Sequence, residues 1–322
     1  MRTPPPQLRP SRAPVVAEFS FRVMAAHAHV ILVDPAPGAE GCARRRLQQL
    51  ERRWSRFLPG SDISRLNTMP NAFAIVSEDT IDLLATMKQA WRVSNGRYDP
   101  TMLSAINAAG YSKSIDGSGR RSGRAGSRPR GCTIADVAVD LATSSVTVPA
   151  GIGLDPGGIG KGLAADLVVT ELLRDGTGGA LVSVGGDLAA AGTPPTAEGW
   201  YVAIEDPFDA SRSLMTLTLH VGGVATSSIL KRTWTRGGSR RHHVIDPVTQ
   251  TCATTDLAAV TVIARAGWEA EVHATAALLA GSERALDYLE RHQLDGIATT
   301  LDGTTSMSPA LECAGVTERS VA

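Results

Sequence analysis

Aromatic residues are scarce in this chain of 322 residues, where Phe, Trp and Tyr together make up 4%. The four cysteines lie far apart without a CxxC pair, which argues against a zinc site and a disulfide framework. The net charge is zero, with 32 basic and 32 acidic residues, so no overall field attracts nucleic acid or a membrane surface. No apolar run is long enough to span a bilayer. We therefore expect a soluble globular protein with no nucleic-acid partner and no stable membrane association.

Two segments have compositions that do not favour packed structure. Residues 1–16 combine arginine and proline without a long apolar run or a lipoprotein cysteine. We expect them to be a disordered tail without an export signal, and the protein to be cytoplasmic. Residues 112–130 contain five arginines and Lys113 among serines and glycines, which predicts a solvated, mobile insertion. The remaining chain, residues 17–322, is expected to fold as one domain around this insertion.

Hydrophobic periodicity predicts an α+β fold with a mainly antiparallel sheet. Phe19 and Phe21 alternate with polar residues as in a strand, whereas Leu47, Leu50 and Trp54 recur at helical spacing. That helix is expected to span residues 39–58, with a polar loop at 61–67 and a second helix over 78–93. Later strands are predicted at 137–141, 145–148, 180–184, 200–205, 213–220, 221–227, 257–264, 296–300 and 304–307, a basic hairpin or loop at 232–241, and helices at 267–279 and 282–292. Along the chain, the predicted strands and helices neither alternate strictly nor fall into separate all-strand and all-helix parts. This order favours the α+β fold class.

The most informative stretch covers residues 154–168 and reads LDPGGIGKGLAADLV. Glycines before a helix let a ligand approach the backbone closely, and a helix N-terminus suits a phosphate. Lys161 adds a full positive charge at the same place. The stretch lacks the GxxxxGK[ST] spacing of a P-loop and the GxGxxG of a dinucleotide-binding βαβ unit. By itself it leaves two interpretations open, a phosphate site or an ordinary strand–turn–helix with a lysine.

Seven short motifs occur in a fixed order, and together they identify a family resemblance. From about Phe19 onward the chain resembles the ApbE-type flavin transferases, the FAD:protein FMN transferases. Each motif is weak alone, and their order makes the resemblance specific. The matching segments are 61–67 (SxISxLN), 96–101 (GxxDPT), 155–166 (DxGGIxKGxxxD), 185–187 (GGD), 225–227 (the ATS of ATSG), 243–247 (HxIDP) and 270–281 (similar to ADxxATAxxxxG).

The resemblance implies a two-lobed α+β fold that binds FAD in a cleft and needs Mg²⁺. It implies transfer of FMN from FAD to a Ser or Thr hydroxyl of an acceptor protein, with release of AMP. Such a reaction requires neutralised phosphoryl oxygens and a hydroxyl aimed in line. A Glu and a Thr four apart on a helix project from one face, which alone usually means a solvated surface, whereas the resemblance favours a shared metal ion. The implied pyrophosphate contacts are Lys161, Gly157 and Gly158, and the implied Mg²⁺ ligands are Glu271, Thr275 and the Gly160 carbonyl.

His243 is the best candidate to accept the proton of the acceptor hydroxyl, because an unperturbed histidine titrates near neutral pH. A histidine that only satisfies loop hydrogen bonds is the competing interpretation. His242 is expected to point elsewhere if the segment is a strand. The resemblance further implies cofactor contacts by Met24, Asn67, Asp99, Thr226, Asp246 and, on the adenosine side, Asp187.

Three departures from the family pattern bear on function. The family's MGT segment is Met24-Ala25-Ala26 here, and its metal-site aspartate is replaced by Glu271. The TG after the HxIDP segment is Thr249-Gln250. Two alternatives to transfer therefore stay open, an FAD pyrophosphatase that gives FMN and AMP, and a non-catalytic FAD-binding protein. Residues 302–308 loosely resemble an acceptor sequence with Ser308 at the modified position, but the simpler interpretation is a surface hairpin with an Asp-Gly turn.

Overall fold

A computed structural model describes residues 13–115, 117–123, 126, 128–129 and 131–313. Its helices are α1 (Ala39–Trp54), α2 (Asp62–Thr68), α3 (Glu78–Val93), α4 (Leu103–Ala109), α5 (Gly160–Arg174), α6 (Gly267–Ala280), α7 (Ser282–Arg291) and α8 (Pro309–Cys313). Its strands are β1 (Val16–Val23), β2 (Ala26–Val33), β3 (Phe73–Ile75), β4 (Ala138–Asp140), β5 (Ser145–Thr147), β6 (Gly179–Val184), β7 (Asp187–Gly192), β8 (Trp200–Glu205), β9 (Ser213–Leu219), β10 (Gly222–Ser228), β11 (Thr233–Arg236), β12 (Ser239–His242), β13 (Ile245–Asp246), β14 (Thr251–Cys252), β15 (Leu257–Ala264), β16 (Asp295–Thr300) and β17 (Thr305–Met307).

An eight-stranded sheet in the order β1-β2-β6-β7-β10-β15-β16-β17 forms the centre of the molecule. Each neighbouring pair is antiparallel. Successive residues of β6 point to opposite faces, so Val182 packs with the helices whereas Leu181 packs with the β8–β9 hairpin. Both faces of the sheet are therefore buried, and the predicted α+β fold with helices beside an antiparallel sheet is confirmed.

The N-terminal ends of α5 and α6 meet closely, and this contact positions the site. A Cβ at Gly162 would lie 2.3 Å from the carbonyl oxygen of Gly267, so only glycine fits there. Asp166 of α5 accepts hydrogen bonds from the backbone N–H groups of Gly267 and Trp268 at 2.7 and 2.9 Å. These bonds satisfy donors that the first turn of a helix leaves without partners. Burial raises the pKa of the Asp166 carboxyl to about 6 despite those hydrogen bonds.

The first predicted helix is shorter than its hydrophobic pattern indicates. Helix α1 ends at Trp54, and Ser55 is extended with φ −66° and ψ 121°. The carbonyl of Ser55 accepts a hydrogen bond from the Ser61 hydroxyl at 2.6 Å, and Leu58 precedes a proline, which disfavours helix. Phe57 therefore belongs to the loop that follows.

The predicted polar loop at 61–67 is wrong, because these residues form the short helix α2. Ser61 caps it by accepting a hydrogen bond from the backbone N–H of Ser64 at 3.0 Å. Asp62 is buried and accepts hydrogen bonds from the hydroxyls of Ser77 and Thr80, both at 2.8 Å. The polar side chains face partners inside the protein, which a hydrophobicity pattern does not reveal.

Several further elements were not predicted from the sequence, namely α4, α8, β3, β7, β13 and β14. The described residues of the insertion 112–130 contain no helix or strand, but Arg128 is fixed by an ion pair to Asp99 at 2.8 Å. Their side chains are only 7% and 2% exposed, so the expectation of a fully solvated insertion is wrong at this point. At the N-terminus, β1 begins at Val16, within the predicted tail of residues 1–16, most of which lies outside the described residues.

Candidate active site

A cavity of about 290 Å³ opens at the start of α5, bounded by the turn after β6, by β10, by α6 and by the segment leading into the β11–β12 hairpin. The fold brings most of the sequence-predicted site residues to this cavity, although they are far apart in the chain. The candidates that line it are Met24, Asp99, Gly157, Gly158, Gly160, Lys161, Asp187, Thr226, His243, Glu271 and Thr275.

Two of the predicted cofactor contacts do not line the cavity. The Asn67 side chain brackets the backbone of Leu154, donating to its carbonyl at 2.9 Å and accepting from its N–H at 2.7 Å. Asp246 accepts a hydrogen bond from the N–H of Val248 at 2.8 Å and thereby shapes its own loop. His242 contacts the carbonyl of Ala253 at 3.1 Å and also lies away from the cavity lining. Asn67 and Asp246 thus hold backbone segments that support the site.

The glycine turn before α5 has a specific geometry. Gly158 has a φ of +80°, a conformation that L-residues rarely adopt, and a Cβ there would lie 3.2 Å from the Tyr98 ring. Several N–H groups of this turn already have acceptors within the protein. The N–H of Gly157 donates to Asp155 at 3.0 Å, and that of Gly160 donates to the Pro156 carbonyl at 2.9 Å. The backbone therefore offers a phosphate fewer donors than the sequence suggests.

An inner cluster of Lys161, Asp187 and Glu271 lies deepest in the site. The Lys161 ammonium forms ion pairs with Asp187 and with Glu271, the latter with an Nζ–Oε1 distance of 3.0 Å. The other Glu271 oxygen accepts a hydrogen bond from the Gly162 N–H at 2.8 Å. The carboxylates are about 5% exposed, so two buried negative charges surround one buried positive charge. Burial lowers the pKa of Lys161, and Glu271 acts in the opposite direction.

The oxygen atoms near this cluster are of the type that Mg²⁺ prefers. Thr275 places its hydroxyl 2.8 Å from the Ser227 hydroxyl and 3.3 Å from the Glu271 carbonyl, beside the glycine turn. Within the described ranges, no group of three or more His, Cys, Asp and Glu residues is arranged to hold a metal. Mg²⁺ usually needs only one or two carboxylates together with substrate phosphate and water. Glu271, Thr275 and the Gly160 carbonyl therefore fit Mg²⁺ in their chemistry, and Glu271 shares its oxygens with Lys161 and Gly162.

His243 lines the cavity in an electropositive environment. Its pKa is lowered to about 3, chiefly by burial and then by the charges of Arg232, Lys161 and His242, so the imidazole is neutral at neutral pH. Its Nδ1 is buried and has no hydrogen-bond partner among the described residues. A neutral ring with an unused nitrogen can accept a proton. His243 also makes a hydrogen bond with the backbone of Lys231, as a loop histidine does, so its role as proton acceptor stays a prediction.

Several cavity residues were not predicted from the sequence as site residues. Arg56 is 4% exposed, contacts Asp155 at 3.3 Å and donates to the carbonyl of Tyr111 at 3.0 Å. Tyr98 has a buried hydroxyl without a partner in the described structure. Burial and the nearby carboxylates raise the pKa of Tyr98, which keeps this hydroxyl protonated. Arg232 is a third such residue. No local sequence signal distinguishes these residues, because the fold alone brings them to the cavity.

The departure at Ala25 leaves the backbone in the conformation that glycine prefers. Met24 and Ala25 form the two-residue turn between β1 and β2, with φ values of 54° and 53°. Such turns normally contain Asn or Gly because both central residues have positive φ. The Met24 N–H donates to Glu51 at 3.0 Å and fixes the turn against α1. Both residues line the cavity, so its wall contains conformational strain.

Ser308, the candidate self-modification site, is not accessible in this structure. Its side chain is buried, and its hydroxyl donates to Asp295 at 2.7 Å. Its N–H donates to the Gly296 carbonyl at 2.9 Å, beside β16. A hydroxyl held in this way is not presented to the cavity, and Ser308 is absent from the cavity lining.

Comparison with known proteins identifies the family. A family model described as the ApbE family matches residues 20–299. The chain belongs to the ApbE family. The FAD:protein FMN transferase of Escherichia coli K12 is 32% identical over 165 residues, which cover 50% of this chain and 47% of that protein. The chain thus matches about half the length of this relative. The Vibrio cholerae FAD:protein FMN transferase is 26% identical over 258 residues, which cover 78% of this chain and 75% of that protein.

Solved ApbE structures share the fold over nearly the whole chain. The ApbE protein of Thermotoga maritima superposes with a TM-score of 0.80 at 21% identity, covering 93% of this chain and 99% of that one. The apo form of the Pseudomonas stutzeri flavinyl transferase ApbE gives a TM-score of 0.77 at 25% identity, covering 94% and 98%. None of the helices in the described part of the chain has the length and apolar character to cross a membrane.

Proposed function

We propose that this protein transfers FMN from FAD to a serine or threonine hydroxyl of an acceptor protein and releases AMP. The observation that carries the proposal is the cavity itself, in which motifs of an ApbE-family chain place His243, Lys161, Asp187 and Glu271 together. The names of the relatives, FAD:protein FMN transferase, support the same reaction.

The reaction forms one bond and breaks one bond. The acceptor oxygen attacks the phosphorus of the FMN half, and the P–O bond of the anhydride breaks so that AMP leaves with its electron pair. The proton of the hydroxyl passes to the neutral imidazole of His243 and then to solvent. In the ligand-free cavity this imidazole is a weak base, because burial and then the charges of Arg232 and Lys161 lower its pKa. A bound pyrophosphate counters those charges and makes His243 more basic.

Cavity residues around His243 hold the substrate. Tyr98 contributes an unused hydroxyl, and the glycine turn at Gly158 allows the ligand to approach the backbone closely. Mg²⁺, held by Glu271, Thr275 and the Gly160 carbonyl, would neutralise phosphoryl charge as it does in other phosphoryl transfers. Lys161 holds the Glu271 carboxylate in its orientation beside the start of α5.

An AMP assay tests the proposal directly. Purified protein is incubated with FAD and Mg²⁺, with and without an acceptor protein that carries a Ser or Thr modification site. We expect AMP only with the acceptor, together with a covalent FMN adduct in its intact mass. His243→Gln should lower the rate at least about 100-fold, since general base catalysis contributes about 10²–10⁴-fold.

The same assay separates the competing functions. AMP without acceptor would indicate an FAD pyrophosphatase, in which water replaces the hydroxyl. FAD binding without AMP under either condition would indicate a non-catalytic flavin-binding protein. Both results would contradict the proposed transfer.

A further inference from the structure

The positively charged residues of the cavity differ in whether the protein already neutralises them. Lys161 pairs with Asp187 and Glu271, and Arg56 pairs with Asp155. These charges are balanced before any ligand arrives. A cation with a carboxylate beside it gains less from a phosphate, because the new contact competes with the existing one.

Arg232 differs from these residues. It lines the cavity, and among the described residues no carboxylate forms an ion pair with it and no acceptor takes a hydrogen bond from its side chain. Its neighbour Lys231 is paired with Glu205 at 2.8 Å. Arg97 also lines the cavity, but its guanidinium lies 5.8 Å from the centroid of the Tyr288 ring and interacts with that ring.

The backbone of Arg232 is strained. Its φ is +52°, in the left-handed region that non-glycine residues seldom occupy. The residue lies between β10 and β11, just before the basic hairpin, whose tip contains the glycines Gly237 and Gly238. A strained residue that persists without a side-chain ion pair or hydrogen bond among the described residues points to a role outside folding.

The positive charge of the Arg232 guanidinium influences the pKa of His243. After burial, its positive charge is the largest cause of the lowered pKa of His243. Arg232, His243 and Lys161 line the same cavity, so an anion bound there beside the reactive groups also faces Arg232.

We infer that Arg232 is the residue that contacts the phosphoryl oxygens of a dinucleotide diphosphate in this cavity. The inference rests on the proposed function, because it concerns the same substrate. It transfers to Arg232 the neutralising role that the sequence suggests for Lys161. The planar guanidinium provides paired N–H donors that match phosphate oxygens, which a lysine ammonium does not.

Binding measurements with two flavins isolate this contact. Dissociation constants of FAD and of riboflavin, which lacks phosphate, are measured from flavin fluorescence with wild-type protein and Arg232→Gln. We expect Arg232→Gln to weaken FAD binding at least about tenfold and to leave riboflavin binding unchanged. Arg232→Lys should restore part of the affinity. The matched control is Arg240→Gln. Arg240 is an exposed arginine on the hairpin that follows Arg232, and its replacement should change FAD affinity less than about twofold.

Thermal melting separates a binding role from a structural one. Arg232→Gly removes the charge and relieves the strained φ, so we expect a higher Tm without FAD and weaker FAD binding. In one outcome, the wild type binds FAD more tightly than riboflavin while Arg232→Gln and Arg232→Gly keep the same FAD affinity. That result would overturn the inference about Arg232 and leave the proposed function intact. A wild-type protein that does not bind FAD would overturn the proposed function and this inference with it.

Discussion

The cavity has two regions that differ in whether their charged and polar groups have partners within the protein. One is the inner cluster, and the other, called here the outer side, consists of Arg232 and His243. In the inner cluster, Lys161 is enclosed by Asp187 and Glu271, and Glu271 is tied to the first turn of α5. On the outer side, Arg232 has no ion pair, and the Nδ1 atom of His243 has no partner in the described structure. Charges satisfied within the protein stabilise the fold, whereas unsatisfied groups remain available to a ligand. We therefore expect the inner cluster to stabilise the fold and the outer side to contact the substrate.

The largest expected effect is on the inner cluster. Glu271→Ala removes one carboxylate and leaves Lys161 and the Gly162 N–H without that acceptor. We expect the free energy of unfolding to fall by about 3–5 kcal/mol, measured by urea denaturation, because breaking a buried ion pair is costly. Glu269→Ala on the same helix is the control, since Glu269 is only partly buried, and should cost less than about 1 kcal/mol. Equal losses would mean that the inner cluster does not stabilise the protein.

The next effect concerns His243 and its dependence on pH. Its folded pKa of about 3 lies below the unfolded value of about 6.5. The stability that comes from the neutral ring is present above pH 6.5 and is lost as the pH falls toward 3. His243→Gln should therefore reduce the loss of stability between pH 7 and pH 5 by about 2 kcal/mol. The exposed His220, changed to Gln, should leave the pH profile unaltered. Parallel profiles for wild type and His243→Gln would show that His243 titrates normally.

A smaller effect is expected from the strained turn at Ala25. Ala25→Gly keeps the backbone conformation and removes the steric cost of a positive φ. The free energy of unfolding should rise by about 0.5–1 kcal/mol, with the gain reduced by the greater freedom of glycine in the unfolded chain. Ala26→Gly, in strand β2, should instead lower it by about 0.5–1 kcal/mol. A loss of stability in Ala25→Gly would mean that the methyl group contributes packing that outweighs the strain.

The elements with a strong hydrophobic period were predictable from the sequence. The pattern of Ile81, Leu84 and Met87 predicts a helix at 78–93, and α3 has those bounds. Helix α2 was missed because its buried residues include Asp62, Ser64 and Asn67, which are satisfied by hydrogen bonds rather than by apolar packing. Polar burial depends on partners that are distant in the chain, and periodicity does not contain that information.

The site was predictable as a set of residues but not as a set of contacts. Motif order indicated Lys161, His243 and Glu271, and all three line one cavity. The pairing of Lys161 with Glu271 joins residues 110 positions apart, and no local pattern predicts it. Arg232 lies in a basic segment that resembles a solvated loop, and its importance depends on its position in the cavity that His243 also lines.

Melting of two variants with and without FAD tests the contrast between the two sides most directly. Lys161→Met leaves two buried carboxylates together and should lower the Tm of the ligand-free protein. Arg232→Gln should keep the wild-type Tm without FAD but lose most of the increase that FAD produces in the wild type, because that increase follows affinity. If Arg232→Gln melts earlier without ligand and retains the full FAD-induced increase, while Lys161→Met melts like the wild type, the assignment of the two sides is reversed.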